Sequence, residues 1–150
     1  MPKTPMPATD LPDINVWLAL TFEDHPHHLR ARQYWEEEGA SQLAFCRVTM
    51  LGLLRLATNA KVMQNHPFQP AEAWQIYHSF VSLPEVLFIA EPTDIEIQFA
   101  EYSEAANFPA SRWTDAYLAS FARIIGCRIV SFDADFRGFP GLDFLHLSHS

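Results

Sequence analysis

Five short apolar runs recur along this chain. They begin near Leu11 and continue as "LAFCRV" (43–48), "EVLFIA" (85–90), "RIVSF" (128–132) and "GLDFLHL" (141–147). Most are separated by stretches in which apolar residues return every three or four positions. Short, continuously apolar strands alternating with amphipathic helices are the signature of a parallel sheet covered on both faces. The expected fold class is therefore α/β, a Rossmann-like α/β/α sandwich around a central, mostly parallel sheet.

Local signals place the elements. "LPDINVWLAL" (11–20) opens as a strand and passes into a helix, with Asp13 at the junction. A helix over His28–Glu38 stops at Gly39. Thr49 is expected to cap "MLGLLRLATN", with Leu51, Leu54 and Thr58 on one face and Leu53 and Leu56 widening it. Pro70 opens a helix whose stripe is Ala73, Ile76, Tyr77 and Phe80. "TDIEIQFAEYSEAAN" reads as a helix capped by Thr93 or Asp94. A loop over 107–113 leads to a helix from Thr114 to Gly126, cored by Leu118, Phe121, Ala122 and Ile125.

A length of 150 residues favours one domain. Residues 1–9, with prolines at 2, 5 and 7, read as a flexible tail, and 10–148 as the single domain. No run of eighteen apolar residues appears, so no membrane span is expected, and the opening lacks the apolar core of a signal peptide. Cys46 and Cys127 sit in apolar runs, as buried free thiols of a reducing, cytoplasmic protein would. The net charge of −8 is wrong for a generic nucleic-acid binder. Phosphate contacts would have to come from local arginines, with Arg47, Arg55 and Arg112 as candidates, or from metal ions. An acidic surface also suits a basic partner.

In open parallel sheets, ligands bind beyond the carboxyl ends of the strands. Asp13 ends the first strand, Asp133 ends "RIVSF", and Asp115 lies in the first turn of the preceding helix, which starts at the same edge. Each has an ordinary alternative as a turn, cap or dipole residue. Three together point instead to a hard divalent cation, Mg²⁺ or Mn²⁺, because clustered carboxylates repel unless neutralised. Asp135 is an accessory candidate ligand, and Asn15, Thr114 and Ser131 are candidate supports. "DHPHH", with His25, His27 and His28, reads as a solvated loop rather than a zinc site. Trp35, Trp74 and Trp113 read as core residues more than base-stacking ones.

The opening "LPDINVWLAL", the central "FCRVTMLGLLRLATN", the long "WTDAYLASFARIIGCRIVSFDADF" and the closing "FPGLDFLHL" together resemble the PIN-domain ribonucleases, in particular the VapC-type toxins of toxin–antitoxin pairs. The resemblance runs from about Leu11 to Leu147. It implies Mg²⁺- or Mn²⁺-dependent endoribonuclease activity, with Asp13, Asp115 and Asp133 as catalytic metal ligands. It also implies a VapB-like antitoxin partner and a homodimer, to which the apolar "LGLLRLAT" would contribute. One departure stands out: Gly52 occupies the place where many members carry a glutamate. Asp135, Asp10 or Glu23 could replace that acid, or nothing could. Two rivals follow. One is a degenerate PIN-fold binding module. The other is a HAD-like phosphatase using Asp133 as nucleophile, a motif that normally lies near the chain start.

Overall fold

The computed structural model describes residues 8–148. Five strands, β1 (Thr9–Pro12), β2 (Gln42–Phe45), β3 (Val86–Phe88), β4 (Arg128–Ser131) and β5 (Phe144–His146), form one sheet in the order β3-β2-β1-β4-β5. Every neighbouring pair is parallel, so the sheet is wholly parallel rather than mostly so. β1 begins at Thr9, which is buried, so the sheet takes up the last residue assigned to the tail. Residues 1–7 of that tail lie outside the described residues.

Alternate strand residues feed two cores, as the two-residue period of a pleated strand requires. Leu11, Ala44 and Ile129 face one side and pack with α5 (Ile95–Ser103) and α6 (Trp113–Ile125). Leu43, Phe45, Val86 and Val130 face the other. There they meet α1 (Ile14–Thr21), α3 (Arg47–Ala57) and α4 (Pro70–Val81). The centre of this second core is Trp17 stacked on Phe45, with ring centroids 3.9 Å apart.

Several boundaries shift for identifiable reasons. The expected helix over 28–38 divides into α2 (His28–Gln33) and a π-turn, Tyr34–Glu38, which closes at Gly39. The cap of α3 is Cys46, not Thr49. The Thr49 hydroxyl sits inside the first turn and accepts from the Cys46 backbone N–H at 3.0 Å. α3 is also rotated relative to the expected stripe: Met50 and Leu53 are buried while Leu51 is 55% exposed. Within "LGLLRLAT", Leu51 and Arg55 stay exposed and Leu54, Leu56 and Thr58 are half-buried. α5 is shorter than its sequence pattern, and Asp94 precedes it without a side-chain cap. α6 starts one residue early, at Trp113, after a 3₁₀ turn over Ala110–Arg112, and ends at Gly126 with φ +86°.

The amino edge of the sheet carries a buried ion pair. Asp10, fully buried, accepts from Arg128 at 2.9 and 3.0 Å, from the Tyr34 hydroxyl at 2.6 Å and from the Ala40 N–H at 3.0 Å. These bonds tie β1 to β4 and to the π-turn, and they answer the cost of burying a carboxylate. Burial, followed by the Asp10 charge, pushes the Tyr34 hydroxyl far above its usual range. Cys46 and Cys127 are both buried free thiols. Among the described residues, no helix is long and apolar enough to cross a membrane.

Candidate active site

The carboxyl edge of the sheet is built from the junctions that follow β1 and β4 and from the first turn of α6. Asp13 ends β1 and caps α1. Its Oδ1 accepts from the Ile14 N–H at 2.7 Å, and its Oδ2 from the Ser131 hydroxyl at 2.8 Å. Ser131, the last residue of β4, is held in turn. It accepts from Asn15 Nδ2 at 3.2 Å and from the Asp133 N–H at 3.0 Å. One serine hydroxyl thus joins two acids that meet across neighbouring strands. Asp133 caps the 3₁₀ turn Ala134–Gly138, accepting from the Asp135 N–H at 2.8 Å.

Asp115 reaches the same edge from α6. Arg112, three residues earlier and so on the same helical face, donates from Nε to Asp115 at 3.3 Å and from Nη2 to the Asp135 carbonyl at 2.8 Å. Its guanidinium also lies over Phe139, 5.0 Å from the ring centre.

The electrostatics record crowding. Burial is the main force raising the Asp13 carboxyl to about 6, and the Asp115 and Asp133 charges add to it. Asp115 is also raised, by burial first and by Asp133 next, although Arg112 pulls the other way. A buried carboxylate held high by its neighbours favours a proton or a cation. The donors are hard oxygens, which suit Mg²⁺ or Mn²⁺. The donor chemistry therefore fits a divalent ion. The spacing is looser: among the described residues, no three metal-ligating side chains stand close enough together to hold one. Asp115 would have to exchange Arg112 for the cation.

The remaining candidates divide. Thr114 is exposed beside Asp115. The Asp135 side chain is exposed; its backbone, through the N–H to Asp133 and the carbonyl to Arg112, does the bridging. Arg47 turns away onto Phe88, 4.5 Å from that ring centre. Arg55 is exposed on α3. Of the three suggested substitutes for the missing glutamate, Asp135 neighbours Asp133, whereas Asp10 and Glu23 are engaged elsewhere. Asp10 is locked to Arg128, and Glu23 lines a separate pocket with Trp35 and Phe80. The Gly52 position is filled instead: a Cβ there would fall 2.2 Å from Ile14 Cδ1. The isoleucine after Asp13 leans into the space beside the glycine.

Two tryptophans depart from the core reading. Trp113 is 51% exposed and Trp74 44% exposed, because each lies on the outer side of its helix. The histidine loop is more ordered than a solvated one. His27 stacks on Phe132 at 4.6 Å, and His28 Nδ1 bonds to the Ala19 carbonyl at 2.7 Å. Arg112 as the partner of Asp115 went unrecognised in the sequence, although its three-residue spacing is a readable sign.

Layers and acids together define a Rossmann-like α/β/α protein with an acidic carboxyl edge. The family model described as PIN domain matches residues 11–142, and the chain belongs to the PIN-domain family, among its VapC members. It is 34% identical to "Ribonuclease VapC41" of Mycobacterium tuberculosis over 136 residues, covering 87% of this chain and 93% of that one. "Ribonuclease VapC38" of the same organism is 29% identical over 122 residues, 81% of this chain and 83% of the other. Among solved structures, VapC20 of M. tuberculosis, described as a "Sarcin-Ricin loop cleaving toxin", superposes with TM-score 0.67 at 16% identity, covering 91% and 98%. The DNA-bound VapBC of Salmonella typhimurium gives 0.66 at 18%, covering 95% and 99%. At those identities the structural likeness speaks for the fold.

Proposed function

We propose that this chain is the toxin of a toxin–antitoxin pair, an endoribonuclease dependent on Mg²⁺ or Mn²⁺. The observation that supports the reading is that Asp13, Asp115 and Asp133 share one sheet edge, with Asp13 raised to about 6 by burial first and by the charges of the other two. Family membership and relatives named as ribonucleases support it. Asp13, Asp115 and Asp133 would hold the ion, with Asp135 as accessory. When bound, the ion supplies Lewis-acid activation of water and neutralises phosphate charge.

The chain's own residues do the positioning. Ser131 and the Ile14 N–H fix both oxygens of Asp13, so its orientation is set before substrate arrives. Asn15 fixes Ser131. Arg112, once released from Asp115, offers a planar guanidinium to the phosphate. Arg55, and more remotely Arg47, supply further positive charge. Hydrolysis joins a water oxygen to phosphorus and breaks the bond to the 3′ oxygen, leaving a 5′-phosphate and a 3′-hydroxyl.

The proposed partners follow from the same surfaces. A VapB-like antitoxin with a basic side chain would complement the acids, as suits a chain of net charge −8. VapBC complexes among the structural neighbours support that pairing. A homodimer is proposed through exposed apolar residues such as Ile97 and Trp113, which are 71% and 51% exposed, with the partly exposed apolar residues of "LGLLRLAT" contributing. The proposed location is the cytoplasm. A degenerate binding module draws support from Gly52 alone, and a phosphatase using Asp133 draws none from the family match.

The test is cleavage of a panel of RNAs by antitoxin-free protein with Mn²⁺ or with EDTA, alongside Asp13→Ala. Cutting that needs both the metal and Asp13 supports the nuclease. Absence of both cutting and Mn²⁺ binding would replace it with the binding module.

A further inference from the structure

Beside the acids runs an open groove of about 330 Å³ between α1, α3 and the start of α6, lined by Ile14, Val48, Leu51, Gly52, Arg55 and Thr114. One end adjoins the site directly, since Ile14 follows Asp13 and Thr114 precedes Asp115 in the chain. Its walls are aliphatic, and Leu51 is left 55% exposed. Arg55 lies one helical turn beyond Leu51, on the same face of α3. Among the described residues Arg55 joins no ion pair, in contrast to Arg30, Arg32, Arg112 and Arg128. The floor depends on Gly52, against which Ile14 packs too closely for any Cβ.

We propose that this groove is a subsite for one unpaired nucleotide of the RNA substrate, adjacent to the scissile phosphate; the inference rests on the nuclease reading above. A nucleobase has two apolar faces and a polar rim, and it carries an anionic phosphate at one end. The groove offers aliphatic walls, a threonine hydroxyl near the acids and an uncommitted guanidinium. Bases that stack on protein in this way must first leave their neighbours, so recognition falls on single-stranded segments. A chain with net charge −8 has little general attraction for RNA, which makes a local contact of this kind the more necessary.

The test uses the shortest single-stranded fragment that contains a cut made by the wild-type protein in total RNA. An abasic nucleotide is placed at each position flanking the cut in turn. One position is expected to lower kcat/KM about tenfold or more for the wild type. Val48→Trp, which fills the groove, should be slow on the intact fragment and lose little more on the abasic one. Arg55→Gln, an exposed change that tests the groove even if the tryptophan variant misfolds, should raise KM severalfold with a smaller effect on kcat. The subsite is refuted if no flanking abasic position matters. It is equally refuted if the abasic penalty is the same in Val48→Trp as in wild type, or if Val48→Trp only converts a dimer to a monomer in sedimentation, which would make the groove an interface between copies. A wild-type protein that cuts no RNA with Mn²⁺ present refutes the nuclease reading itself, a distinct result.

Discussion

Asp13 is the residue at which folding and chemistry pull against each other. Its carboxyl ordinarily titrates near 3.8, and in the fold it titrates near 6. The native state therefore binds more protons between those values. Its contribution to stability is most favourable below the lower value and falls as pH rises through the upper one. Above pH 6 the ionised group disfavours the metal-free fold by roughly 3 kcal/mol. Asparagine keeps the capping ability and a partner for Ser131 without the charge. Asp13→Asn should thus melt several degrees above the wild type at pH 8 in EDTA, read by differential scanning calorimetry, while RNA cleavage drops at least a hundredfold. At limiting Mn²⁺, wild-type cleavage should rise with pH through about 6, and a flat profile from pH 5 to 8 would count against Asp13 as ligand. The acids were legible in the sequence because strand ends and helix starts are readable from pattern. The Arg112–Asp115 pair and the filling of the Gly52 space by Ile14 were not, because both depend on side-chain directions that strand and helix pattern does not encode.

Among the elements, α1 and α3 approach each other at Gly52 and Ile14. A methyl group at Gly52 would lie inside the isoleucine, so Gly52→Ala should cost about 1–3 kcal/mol through overpacking. Ile14→Ala should recover much of that loss in the double variant, a coupling measurable by urea titration. Additive effects would show that the helices simply move apart. At the end of α6, Gly126 adopts φ +86° and a Cβ there would meet nothing within 4 Å. Gly126→Ala should therefore cost only the left-handed backbone penalty, about 1 kcal/mol, with cleavage retained. The alternation of strands and helices made the element order readable. The rotation of α3 was not readable, because "MLGLLRLATN" has apolar residues on more than one face and only packing against α1 and α4 chooses between them.

Across the whole molecule the sheet has two dissimilar edges. Its carboxyl edge gathers acids that repel one another, and its amino edge holds a satisfied pair, Asp10 with Arg128, Tyr34 and the Ala40 N–H. Arg128→Leu would strand a fully buried carboxylate and should destabilise the protein by about 3–5 kcal/mol. If the two edges act independently, the fraction that remains folded should keep its kcat. A kcat that fell with stability would show that the amino edge shapes the acids.

The Ser131–Asp13 hydrogen bond joins residues 118 positions apart, and β1 sits in the middle of the sheet with β2 on one side and β4 on the other. A polypeptide still being made on the ribosome, complete only as far as Ile125, has Asp13 and Asp115 but neither Ser131 nor Asp133. It lacks part of the proposed site, and on the toxin reading a chain stopped there should leave growth unaffected where the full chain arrests it. In this topology the first strand waits for a strand more than a hundred residues later, so the orientation of Asp13 is a property of the folded sheet and not of its own neighbourhood in the chain.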